Sequence, residues 1–159
     1  MPVEISLATA SVRVSGSDLP ISGHTLALAL YLAAEGRPVA RAQLASVLFR
    51  TESGSPESSV KVYVHRLRSV IGKESIIRKA GGYAYSNRVS VDLPEIEEFV
   101  LKAEEGAPRI FAMRVRARRI LMELSVGRPA VVLSWGWFSP IERRLRLVQR
   151  RLRAVCRLL

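Results

Sequence analysis

The spacing of hydrophobic positions changes along the chain, and each change marks an element. From Val3 to Ile21 the pattern is short, β-branched and interrupted by Ser15-Gly16-Ser17, with alternation in Ser11-Val12-Arg13-Val14, which predicts a small β-hairpin. Leu26, Leu30 and Ala33/Ala34 mark one side of a largely apolar helix over about 23–35, with Ser22 placed to cap it and Gly36 to end it in a left-handed conformation. After the extended Arg37-Pro38-Val39, the apolar positions Leu44, Val47 and Leu48 recur at helical spacing from Arg41 and predict a short second helix. Thr51–Ser55 has loop chemistry. With Ser55 as cap and Pro56 in the first turn, Val60, Val64, Leu67 and Ile71 step by four, three and four residues and predict a third helix over about 56–71, stopped by Gly72. Its opposite side then carries Ser58, Lys61, His65 and Arg68, with Tyr63 and Arg66 at the edges. Ser75 to Tyr85 reads as two short strands around a glycine turn, Gly81-Gly82, with cations at the tip.

The second half is helical in period. Ile141, Leu145, Val148, Leu152, Val155 and Leu159 alternate steps of four and three, Arg143, Arg146, Arg150, Arg153 and Arg157 take another face, and Ser139 with Glu142 reads as a capping-box start. That predicts a helix of about nineteen residues. Ile110, Met113, Ala117, Ile120/Leu121 and Leu124 mark a partner helix around 109–124, expected to pack on the last helix and on one at 94–104, with Trp135, Trp137 and Phe138 beneath the bundle. These two apolar stripes are more than so short a unit needs to bury against itself, so a homodimer through 89–159 is expected.

Charge sharpens this picture once it is located. The net charge of +11 is uneven: residues 37–88 hold ten Lys/Arg against three acids, residues 89–108 hold Lys102 against six acids, and residues 109–159 hold thirteen Arg against Glu123 and Glu142. Two basic blocks around an acidic one suit a polyanion-binding chain. The acids at 92–105 read as a solvated helix face. At 159 residues and 48% hydrophobic, the chain is long and apolar enough for two small folded units.

Other classes find little support. The longest apolar stretch, Leu26 to Ala34, falls short of the ~20 residues that cross a bilayer, and no basic-then-apolar leader opens the sequence, so a cytoplasmic protein with no membrane partner is expected. Cys156 is the only cysteine and reads as a buried thiol. His24 and His65 lack companions at metal-ligand spacing, and no glycine-rich phosphate loop, paired carboxylates or Ser/His/Asp arrangement is present. The expectation is therefore no metal, no cofactor, no catalytic residues and no enzyme.

Three helices followed by a basic hairpin is the layout of a winged helix-turn-helix. Gly36-Arg37-Pro38-Val39, Leu44-Ala45-Ser46-Val47-Leu48-Phe49, Val60 through Arg68, and Gly81-Gly82-Tyr83 resemble, in order and spacing, the output domain of two-component response regulators. Beyond it, Val91-Asp92-Leu93 with Ile96, Phe99 and Val100, and later Ser139 through Leu145, resemble a short bacterial transcriptional activator module of the SARP regulators. The chain departs from the first pattern at Ala40, where a hydroxyl cap is expected, and at Phe49, where the family usually has Trp. The resemblance implies an α+β fold: a winged-helix DNA-binding domain over 1–88 with an N-terminal β-hairpin and a C-terminal wing, then a small all-α module over 89–159.

A sequence-specific, double-stranded DNA-binding transcription regulator follows. A helix fits the major groove, so Lys61 and His65, with Ser58 and Ser59, are the expected base contacts. Arg66 and Arg68, joined by Arg41 and Tyr63, are expected at phosphates. Arg78 and Lys79, on a turn made by Gly81 and Gly82, would reach the minor groove. In the resembled family the loop between helices two and three often meets RNA polymerase, which makes Thr51–Ser55 a candidate contact. The competing reading is a non-enzymatic adaptor whose winged helix and Arg-rich helices dock on a protein or RNA.

Overall fold

The computed structural model describes residues 1–49, 56–106 and 111–157 and has a mixed α+β architecture. Its contacts divide the chain into a unit of Met1–Leu7 with Ser11–Val91 and a unit of Ala8–Ala10 with Asp92–Leu159. In chain order the first contains β1 (Val3–Ser6), β2 (Ser11–Val14), β3 (Ser17–Asp18), α1 (Gly23–Glu35), β4 (Val39–Ala40), α2 (Arg41–Leu48), α3 (Pro56–Ile71), a 3-10 turn (Lys73–Ser75), β5 (Ile76–Lys79), β6 (Gly82–Tyr85) and β7 (Val89–Val91). The second contains α4 (Asp92–Glu104), α5 (Phe111–Val126), α6 (Ala130–Leu133), a 3-10 turn (Gly136–Phe138) and α7 (Ser139–Arg157). No helix among the described residues is long and apolar enough to cross a membrane.

The N-terminal alternation becomes the β1–β2 hairpin, with Ile5 opposite Val12 and both buried. The sheet is larger than the expected hairpin: β7 joins β1 in parallel, pairing Val3 with Val89 and Ile5 with Val91, to give the order β3-β2-β1-β7. Every residue of α1 from Leu26 to Ala33 is buried, because the helix is apolar all round and is covered by β1, β2, β6, α2 and α3. Ser22 stands at its N-cap position in extended conformation, but its hydroxyl makes no capping bond; its carbonyl accepts from Leu26 at 3.4 Å. Gly36 ends the helix in the left-handed region, as expected. The cap expected from Ser55 lies outside the described residues.

On α3, Val60, Val64, Leu67 and Ile71 are buried against α1 and α2, each contributing roughly 1.5–3 kcal/mol. Tyr85 in β6 donates its hydroxyl to the Ala29 carbonyl at 2.8 Å, and Gln43 in α2 donates to the Tyr31 hydroxyl at 2.7 Å, so α1 is pinned from both sides. Burial pushes the Tyr85 phenol up, which keeps it a donor.

A second sheet runs β4-β6-β5. The sequence reading centred the hairpin turn on Gly81-Gly82; the structure sets Lys79 opposite Gly82 and turns at Ala80-Gly81, with φ 51° and 76°. Two positive φ values match the twist of a tight hairpin. Gly82 is instead a strand residue opposite Ala40, where an added Cβ would lie 2.3 Å from the Val39 carbonyl oxygen. Its lack of a side chain lets β6 lie against β4.

In the second unit the α7 stripe Ile141, Leu145, Val148, Leu152 and Val155 is buried, and α7 packs on α4 and α5. Leu159 and Ile110 of the expected stripes lie outside the described residues. The capping box does not form. Ser139 enters α7 already helical (φ −52°, ψ −45°), following the 3-10 turn, and the Glu142 carboxylate turns to Arg128 at 2.6 and 2.8 Å. That guanidinium also donates to the carbonyls of Ala8 and Leu124, so one half-buried ion pair ties α7, the end of α5 and the 8–10 segment.

Glu95, Glu98, Glu104 and Glu105 are exposed, as a solvated face requires, and two acids of α4 also form ion pairs with α7, Glu97 with Arg144 and Glu104 with Arg151. Cys156 is half-buried rather than fully buried. Trp135 and Trp137 are also half-buried, with their rings stacked at 5.6 Å, while Phe138 is fully enclosed.

Two outcomes follow. Gly82→Ala is expected to lower stability by about 1–3 kcal/mol in denaturant unfolding, because the obstacle is backbone that cannot swing away; an unchanged midpoint contradicts the close approach. The Arg128 guanidinium holds the Glu142 carboxyl below its ordinary value of 4.5, so the pair's contribution is complete above that pH and drains away as pH falls through the lowered value. Melting temperature between about pH 6 and about pH 3 should therefore fall less in Glu142→Gln than in the parent chain, and parallel pH curves contradict the role of the pair.

Candidate nucleic-acid interface

Because the stripe of α3 is buried, the residues farthest from it are set by helical spacing alone. Ser58, Val62, His65 and Ser69, at steps of four, three and four, form the outward row and are all exposed. Lys61, also exposed, flanks this row on the side that carries Arg68. Arg66 and Tyr63 flank it on the other, with Ser59 half-buried between. Glu57, the acid of the helix, sits in its first turn, where the peptide dipoles favour it.

Sequence reasoning missed Val62, which is 47% exposed on the outward row. A signal was present: it is the apolar residue that falls off the Val60/Val64/Leu67/Ile71 stripe at the row's centre.

The two arginines and the tyrosine of α3 occupy different environments. Tyr63 stacks on Phe49 at 5.0 Å, with the planes 7° apart, and its hydroxyl lies 3.3 Å from His24 Nδ1. The exposed Arg66 guanidinium lies over the Tyr63 ring at 4.9 Å. Arg68 is turned inward, donating from Nε and Nη2 to the Ile76 carbonyl at 3.2 and 2.8 Å and lying 5.9 Å from the Tyr83 ring. It thus joins α3 to β5 and β6.

The β5–β6 hairpin carries its own cations. Arg78 and Lys79 are exposed, and Arg78 lies over the buried Tyr83 ring at 5.7 Å. Together with Arg41, at the start of α2, and the Ala80-Gly81 turn, they line a groove of about 280 Å³. His65, Arg68, Ser69 and Lys73 line a second depression of about 320 Å³. The structure therefore gathers Ser58, Lys61 and His65 on one helix face, and Arg41, Arg78, Lys79 and Gly81 at one hairpin. Gly82 is buried in the strand and takes no part in the turn. Among the described residues no group of His, Cys, Asp and Glu is placed to hold a metal ion.

No family model matches the chain. It is similar to the regulatory protein AfsR of Streptomyces griseus, with 28% identity over 111 residues, a match that spans 67% of this chain and 11% of that protein. The chain thus corresponds to a small part of the length of the curated relative it matches.

The inward setting of Arg68 has a measurable consequence. Arg68→Ala leaves the Ile76 carbonyl without two donors and is expected to cost about 1–3 kcal/mol in unfolding free energy, whereas Arg66→Ala, on the surface, should change it by no more than about 0.5 kcal/mol. Equal effects of the two substitutions contradict this assignment.

Proposed function

We propose that the chain is a sequence-specific, double-stranded DNA-binding transcription regulator acting by binding rather than catalysis, and that its first unit is a winged helix. In this reading α3 enters the major groove and the β5–β6 hairpin is the wing. The observation that carries it is the pairing, within one unit, of an exposed helix row bordered by cations with a hairpin tip bearing Arg78 and Lys79. Lys61 and His65 read base edges, with Ser58 and Ser59 contributing hydroxyls. Val62 presents methyl groups of the kind that contact a thymine methyl.

Arg66, Arg41 and Tyr63 hold phosphates, and Lys79 with Arg78 responds to the width and potential of the minor groove. Arg68 positions the wing against α3 instead of meeting phosphate. The similarity to a regulatory protein supports this assignment, as does the basic block at 37–88. The helical region, read as 89–159, carries the partner contacts of a cytoplasmic regulator. An RNA polymerase contact through Thr51–Ser55 falls outside the described residues. The two stripes that motivated a homodimer are buried within their own unit, at Ala117, Ile120 and Leu124 of α5 and along α7, so a partner must use another face.

Selection of bound sites from a random duplex pool provides the cognate sequence. On that duplex, Lys61→Ala and His65→Ala should each reduce discrimination against non-cognate DNA by about 1–3 kcal/mol. Lys79→Ala should weaken binding to every duplex and reduce the slope of log affinity against log salt by about one unit. Failure of the pool to converge, or unchanged preference in both α3 variants, removes the reading surface from α3 and favours a docking role.

A further inference from the structure

The face of α5 turned away from the rest of its unit carries an apolar row. Phe111, Val115, Met122 and Val126, at steps of four, seven and four residues, fall on one narrow face and are 79%, 42%, 70% and 81% exposed. The opposite face buries Ala117, Ile120 and Leu124. Scattered exposed apolar residues need no explanation, but four in one row along a helix do. Arg118 sits inside the row, with Arg114 on one flank and Arg119 on the other; the acid of α5, Glu123, stands one turn beyond Arg119 on the groove side.

Beside the row, between α5 and α4, runs a groove of about 520 Å³ with Ile96, Val115 and Ile120 in its lining. Asp92 and Glu95 stand on its α4 wall and Glu123 on its α5 wall.

We propose that this face of α5 docks an acidic amphipathic helix from a partner protein. An occupant with an apolar ridge covers the exposed row and fills the groove, and the charges orient it: its carboxylates must face Arg114 and Arg118, away from Asp92, Glu95 and Glu123. A second copy of this chain fits poorly. Two-fold pairing centred on the row sets Arg114 and Arg118 of one copy against the same pair of the other, on the flank away from Glu123. A bilayer is equally ill matched, because the row borders a concave groove and a membrane surface meets convex ones. This inference stands apart from DNA binding by the first unit.

The test uses the full chain and a labelled synthetic peptide of roughly twenty residues, with leucines at helical i, i+3, i+4, i+7 spacing and glutamates elsewhere, beside a scrambled peptide of the same composition. Saturable binding in the range of about 1–100 μM is expected for the first peptide alone. Val115→Ser with Met122→Ser, and separately Arg118→Glu, should each weaken it by about tenfold or more, with unaltered thermal melts because all three side chains are exposed.

Absence of saturable binding, or equal binding of the scrambled peptide, overturns the proposal. So does sedimentation of the free chain as a dimer that the Val115/Met122 substitution dissolves. Partition onto phosphatidylserine-containing vesicles that the same substitution abolishes overturns it as well.

Discussion

The side of α3 that carries Val60, Val64, Leu67 and Ile71 is buried against α1 and α2, and this sets the rotation of the helix about its own axis. A turn of one residue, about 100°, would bring apolar side chains to water and polar ones to the core, so the outward row is determined by what is hidden. Ser58, Val62, His65 and Ser69 are presented as a consequence, with Lys61 and Arg66 at the margins. The chemistry offered to a partner is thus decided by packing, and the stripe's residues act on the surface without touching it.

The hairpin is held to the same frame by contacts of a different kind. Gly82 permits the β6 backbone to approach β4 at Val39–Ala40, immediately before α2, while Arg68 links α3 to the Ile76 carbonyl at the start of β5. The hairpin is therefore referenced to both α2 and α3. Its cations at Arg78 and Lys79 are exposed, while Ile76 and Tyr83 in the same two strands are buried and Arg78 covers the Tyr83 ring. A basic tip on a rigid base loses less freedom on meeting a polyanion than a basic loop does.

Long, periodic elements were legible in the sequence. The stripe of α3 locates Pro56–Ile71 and separates its two faces, and the stripe of α7 locates its helix through Arg157. What escaped was set by distant partners. The strand β7 has three residues, and its pairing partner β1 lies at the other end of the unit. The turn at Ala80-Gly81 looks like one at Gly81-Gly82 until the Val39 carbonyl is placed beside Gly82. Arg68 reads as surface charge by periodicity because a carbonyl in a later strand is what draws it inward. Glu142 reads as a capping residue until Arg128 is opposite it.

Whether the first unit meets duplex DNA through α3 and the β5–β6 hairpin is read out by backbone amide chemical-shift mapping of the isotopically labelled full chain during titration with a selected duplex. The largest shifts are expected at Ser58, Ser59, Lys61, Val62, His65 and Arg66 and at residues 78–81, with Val60, Val64, Leu67 and the α7 stripe little moved. Shifts concentrated in α5 or α7, with α3 and the hairpin silent, would contradict that contact.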